Sequence, residues 1–217
     1  VVEKRWSRRG SVTGGLIARN REAGYQPEVL RGGLHYLTPL QFRVHSVPLV
    51  TIPQGRIGYV FARDGMPLQP TQTLASNIKA DGFENVAEFL ANGGQRGPQR
   101  KILREGTYAL NLAQFVIITA DQLYFLPLED DDRALITRMA ALISERHGFE
   151  PLVIQGSDDM LGVVTVHDGP SLGDGEIIAP VVGNNPSDSE AFHNNYQDPE
   201  RFLMAGGRRG RQLQVLV

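Results

Sequence analysis

The sequence predicts an α+β protein of tandem small β-rich modules. Each module is mainly antiparallel strands with a short helix, and one longer amphipathic helix lies between the second and third units. Three observations predict this. The chain matches itself at several fixed offsets, the mark of a repeat architecture. Its apolar residues fall in short runs bounded by Gly, Pro, Asn and Asp, as short strands and turns require. One segment alone sustains a helical period.

The offsets define the units. Shifted by 113 residues, the phrase from Phe89 to Leu103 falls on Phe202 to Leu216 with eight of fifteen positions identical. A shift of 104 places IGYVFARDG (57–65) on LGVVTVHDG (161–169), and Leu74-Ala75 on Ile178-Ala179. The growth of the shift by nine predicts a nine-residue insertion within PVVGNNPSDSEAFHNN. A shift of 73 lays 24–42 on 97–115 with eight of nineteen identical, and Ile17-Ala18 resembles Leu74-Ala75. The units are a partial first repeat at 1–47, a second at 48–125, a linker with the amphipathic helix at 126–149, and a third at 150–217, truncated at its C-terminus. That truncation, with Val rather than Met at position 1, predicts a longer natural chain.

In order along the chain, VVEKRW (1–6) occupies the place of the Val-rich strands of the later copies. PLVTI (48–52), the turn Pro53-Gln54-Gly55 and RIGYVFA (56–62) read as strand, turn, strand. Asp64-Gly65 and Asp168-Gly169 read as strand-ending turns. FENVAEFLANGG reads as a short helix with Phe83, Val86, Ala87 and Leu90 inward, stopped by Gly93-Gly94. GTYALN and QFVIIT read as strands. In LEDDDRALITRMAALISERHG, a helix from about Asp131 to Arg146 is expected to bury Leu135, Met139 and Leu142. Asp130 to Asp132 suit its N-terminal end, Arg146 and His147 its C-terminal end, and Gly148 its stop.

Composition bounds the function. A net charge of −2 provides no global field for nucleic acid. No cysteine is present, which excludes disulfides, thiolate metal sites and cysteine nucleophiles and fits a reducing compartment. The glycine-rich phrases at Gly93–Gly106 and Gly206–Val217 suggest a phosphate cradle, but neither has the Lys-Ser/Thr of a P-loop. Their glycines follow a helix and precede a strand, the reverse of a nucleotide loop, so helix stop and turn is the preferred reading. Gln26, Gln99 and Gln212 recur one per unit and are expected to hydrogen-bond main chain at each turn. The five histidines (His35, His45, His147, His167, His193) show no metal-ligand spacing. His193-Asn194-Asn195, near Asp188 and Asp198, reads as a polar loop rather than a cation site. Arg8-Arg9 and Arg208-Arg209-Arg211 read as solvated rims, with lipid headgroups or an acidic partner as the alternative. No residue is assigned a catalytic, cofactor-binding or metal role, and no cofactor is expected.

Taken together, LIARNREAGYQPEVLRGGLHYLTPLQF, ILREGTYALNLAQFVIIT, LGVVTVHDGPSLGDGEIIAP and HNNYQDPERFLMAGGRRGRQLQVL resemble bacterial flotillin-like proteins of the stomatin/prohibitin/flotillin (SPFH, band-7) superfamily. The resemblance implies SPFH-type α+β modules and a non-enzymatic scaffold on a membrane, expected to be the bacterial inner membrane. It implies large homo-oligomers that organise membrane domains or client proteins, with lipid contact through segments outside 1–217. A soluble vault-like shell is the alternative. A second alternative is a nucleotide-binding or hydrolytic enzyme using the Gly-Arg loops.

Overall fold

The computed structural model describes residues 1–150, 152–154 and 161–216. It is α+β, and its chain divides into two compact units: Val1–Pro67 with Asn77–Pro151, and Leu68–Ser76 with Leu152–Val217. Compactness thus cuts the chain differently from repetition. Leu68–Ser76 belongs to the second repeat by sequence and to the second unit by packing.

In the first unit, β1 (Val2–Lys4) lies between β2 (Gly24–Tyr25) and β3 (Phe42–Val44), antiparallel to both, with Lys4 opposite Gly24 and Phe42. β4 (Val50–Ile52) comes next, then β5 (Tyr59–Ala62), β6 (Gly97–Pro98), β7 (Gly106–Tyr108), β8 (Phe115–Ile118) and β9 (Leu123–Tyr124). β5 repeats the arrangement of β1. It lies between β6 and β8, with Ala62 opposite Gly97 and Phe115. The partners Gly24 and Gly97, and Phe42 and Phe115, are separated by the same 73 positions as the sequence match. β4 and β5 flank the turn at 53–55 but do not form a hairpin: β4 bonds β7, and β5 bonds β6 and β8.

β8 explains its own sequence. All four of its residues are buried, because both faces of its sheet are covered. Phe115 and Ile117 enter a core with Ile17, Val50, Ile52, Val60, Val86 and Leu112. Val116 and Ile118 face Ile136 and Phe149. Phe83, Phe89 and Phe115 meet pairwise with ring centroids 5.1–6.2 Å apart.

The short helix α1 (Val86–Ala91) starts at Asn85, whose side chain accepts from the Glu88 N–H, a normal N-cap. Its buried residues are Val86, Phe89 and Leu90. The expected Ala87 is exposed, because Phe83 lies before the helix, in a separate turn, and does not set its stripe. That turn is left-handed: Asp81, Gly82 and Phe83 have φ of 44°, 62° and 73°. Asn194, Asn195 and Tyr196 repeat it at 47°, 52° and 66°. Such φ values are costly for residues other than Gly and Asn, so their recurrence before both short helices marks a shared local fold.

The long helix α2 (Asp132–Glu145) forms with Asp131 and Arg146 as its caps. Its inward face is Ile136, Met139, Ala140 and Ile143. The expected Leu135 and Leu142 are 59% and 48% exposed. The choice follows from geometry: 136, 139, 140 and 143 are spaced i, i+3, i+4, i+7 and form one stripe, and Asp132 fixes the rotation. Its carboxylate accepts from the Leu128 and Glu129 amides and lies 3.0 Å from the Arg63 guanidinium. At the other end the left-handed residue is His147, not Gly148. Gly148 instead donates its N–H to the Ile143 carbonyl and leaves no room there for a Cβ.

In the second unit β10 (Thr165–Val166) pairs antiparallel with β11 (Gly210–Arg211), and α3 (Pro199–Met204) precedes β11. α3 is capped like α1, Asp198 accepting from the Arg201 N–H. The expected insertion is a loop built around His193, which is fully buried, tilted against Tyr196 and edge-on to Phe202. The first repeat has no helix among the described residues, so the expectation of a short helix in each unit fails there. It lacks the residues between the recurring Ala (Ala18) and the Gly-x-Gln turn that supply the helix in the other repeats.

Candidate functional site

The two Gly-Gly phrases are helix stops, and each glycine has its own reason. Gly93 and Gly206 take φ of 81° and 91°, the left-handed value of a helix C-terminus. Gly94 and Gly207 lie against the rings of Phe89 and Phe202, five residues back, where a Cβ would stand 2.4 Å from a ring carbon. The main chain beyond is committed. Gly94 donates to Phe89, Arg96 to Met66 and Gln99 to Val60. These amides are therefore not presented to a phosphate.

The recurring glutamines close each turn. Gln26 donates its side-chain N–H to the carbonyls of Glu22 and Gly24, Gln99 to Gln95 and Gly97, and Gln212 to Arg208 and Gly210. Their main-chain N–H groups bond Val2, Val60 and Val164 in the same way. The three side chains are equivalent in position and partners.

Two buried aspartates make a second recurring joint that the sequence reading took only for turns. The Asp64 carboxylate accepts from the amides of Leu16, at 2.7 Å, and Ile17, at 2.9 Å. Within the second unit, Asp168 accepts from the Thr73 amide at 3.0 Å, and the Thr73 hydroxyl donates to the His167 carbonyl. In each case an extended strap from one repeat is pinned by the strand-end aspartate of the next. The available signal was the coincidence of Asp64-Gly65 with Asp168-Gly169, and of the Leu-Ala and Ile-Ala pairs, at one offset.

Several of the remaining polar groups are engaged locally. His193 has its Nε2 at 2.8 Å from the Val182 carbonyl, and its Nδ1 accepts from the Tyr196 N–H. The ring is thus a pillar of the inserted loop. His45 lies 2.8 Å from Glu3. His35, His147 and His167 are exposed. Arg9 donates to the Asn20 carbonyl, Arg208 pairs with Glu176, and Arg209 donates to Ser171. A cleft of about 550 Å³ in the first unit is lined by Val29, Leu30, Val44, Leu49 and Leu110, with Arg31 and His45 at its edge. Both charged groups are paired already, Arg31 with Glu84 and His45 with Glu3. Burial works against the Glu84 charge, but the Ala109 amide and Arg31 outweigh it and hold the carboxyl below its ordinary range. Among the described residues no group of three His, Asp or Glu side chains could hold a metal ion, and no helix is long and apolar enough to cross a membrane.

The second unit has a distinctive surface. Its buried apolar residues, among those described, are Ala75, Ala179 and Phe202. Yet Leu161, Val163, Ile177, Met204 and Leu213 are all more than half exposed. The outer edge of β10, the side on which β1 and β5 carry β3 and β8, has no strand partner among the described residues. Comparison with known proteins finds no family model, no curated protein and no solved structure that matches the chain.

Proposed function

We propose that this chain is part of a non-enzymatic, SPFH/flotillin-like scaffold, a membrane-associated protein that assembles into large homo-oligomers. The observation that supports it most is the recurrence, from repeat to repeat, of the same glutamine-closed turn and aspartate-pinned strap. Small units that share such joints stack on their neighbours, and lateral faces remain for other subunits. The polar clusters favour this reading over an enzymatic one, since each is spent on main chain or on an ion pair. The membrane link, the inner-membrane location and the client proteins rest on the family resemblance.

The test is to purify the full-length natural protein, measure its mass by light scattering with and without detergent, and float it with liposomes. The proposal expects a species of many chains that rises with the vesicles. A monodisperse monomer in both conditions overturns the assembly. Failure to float overturns the membrane association.

A further inference from the structure

The strap occurs three times, as residues 16–18, 73–75 and 177–179, and each ends on a buried alanine: Ala18, Ala75 and Ala179. Ala18 donates its N–H to Tyr25 and Ala179 to Arg211, residues that match across the repeats. The first two straps are also pinned from outside, by Asp64 and Asp168. At the third, the amides of Ile177 and Ile178 have no hydrogen-bond partner among the described residues. Their side chains are 86% and 40% exposed, whereas Ile17 at the matching place is 1% exposed.

We infer that Ile177–Ile178 is the docking site for the strand-end Asp-Gly turn of a further module of this kind. The complementarity is specific. Two N–H donors that no described protein group accepts suit a carboxylate, whose bonds to amides are roughly twice as strong as neutral ones, and the two exposed branched side chains suit apolar cover from the strand that carries it. The site continues a series of joints already made twice in this chain, always from the strap of one repeat to the aspartate of the next. A second copy of residues 1–217 is not the natural occupant. Its Asp64 and Asp168 are engaged, and the first-repeat position matching Asp64, two residues beyond Lys4 in the common register, holds Trp6. The occupant is therefore a module whose strand ends in Asp-Gly. This deepens the scaffold reading, on which it rests for a module to be presented, by naming the contact that joins one module to the next.

The test uses the 217-residue chain, ¹⁵N-labelled, with the strand-end peptide Tyr-Val-Phe-Ala-Arg-Asp-Gly-Met (residues 59–66) tethered to its C-terminus by a flexible linker. The tether holds the peptide at about millimolar effective concentration, so weak affinity alone does not hide binding. Without the peptide, the Ile177 and Ile178 amides should exchange rapidly with solvent while Leu16 and Ile17 are protected. With it, both should move downfield and exchange at least about fivefold more slowly. The same tether with its Asp replaced by Ala should have no such effect. An Ile177→Pro chain, which lacks one donor, should lose the response while Ala179 stays protected. Equal responses to the Asp and Ala peptides, no response at all, or protection without any peptide would each overturn the inference. The outcome is separable from the mass measurement: a monomeric natural protein whose chain responds to the Asp peptide defeats the assembly and leaves the docking site.

Discussion

Replacing Asp64 by Ala should be among the more damaging single changes in the first unit. The carboxylate is 6% exposed and accepts from Leu16, Ile17 and Gly65. A hydrogen bond to a charged group contributes about 1.5–3 kcal/mol, and a buried donor left unpaired costs about 1–3 kcal/mol. Ile17 is almost fully buried, so its amide has no water to turn to. Because the three bonds share one carboxylate they do not add, and a total of about 3–5 kcal/mol is expected. This is a large share of the ~5–15 kcal/mol that stabilises a folded domain. Asp64→Asn keeps an acceptor without the charge and should cost about half as much. Urea unfolding of the three proteins measures the loss, and amide exchange at Leu16 and Ile17 locates it. If the Ala variant unfolds within about 0.5 kcal/mol of the parent and keeps both amides protected, the strap is not held by this carboxylate and the joint is misread.

Other expectations follow from the same contacts. Gly94→Ala and Gly207→Ala should each destabilise by about 2–3 kcal/mol, because the new methyl meets an aromatic ring, and a thermal melt reads both. Ile136→Asp should cost several kcal/mol by placing a charge in apolar packing, while Leu135→Asp, one residue away on the outer face, should stay within about 0.5 kcal/mol; equal effects would refute the assigned helix face. Asp132 should provide pH dependence. Burial opposes its charge, but the Leu128 and Glu129 amides and Arg63 outweigh it and lower its pKa. A carboxyl whose folded pKa is lowered stabilises above its unfolded value, near 4, and loses that contribution as pH falls through the lower folded value. Asp132→Asn should therefore be less stable than the parent at neutral pH and converge with it at acid pH, as urea midpoints would show.

What was legible in the sequence was whatever repeats or alternates locally. The strand pairing of β1 with β2 and of β5 with β6 follows the offset that aligns Gly24 with Gly97, and the three glutamines fell into equivalent places because the same turn recurs. The rotation of α2 was not legible. Leu135 and Ile136 are neighbours of similar hydrophobicity, and the anchoring of Asp132 by two nearby amides and by Arg63, 69 residues away, decides which turns inward. Gly148 looked like the helix stop, but steric contact with Ile143 set its identity and His147 took the left-handed conformation. The aspartate joints were hidden for a different reason. Asp-Gly is so common in turns that its local meaning masked a partner 47 or 95 residues away.

The claim on which the account turns is that this chain works as one subunit of many. The most direct measurement is the molar mass of the full-length natural protein by light scattering across a hundredfold dilution. The account predicts a multi-chain species throughout. A protein that is monomeric at every concentration would contradict it.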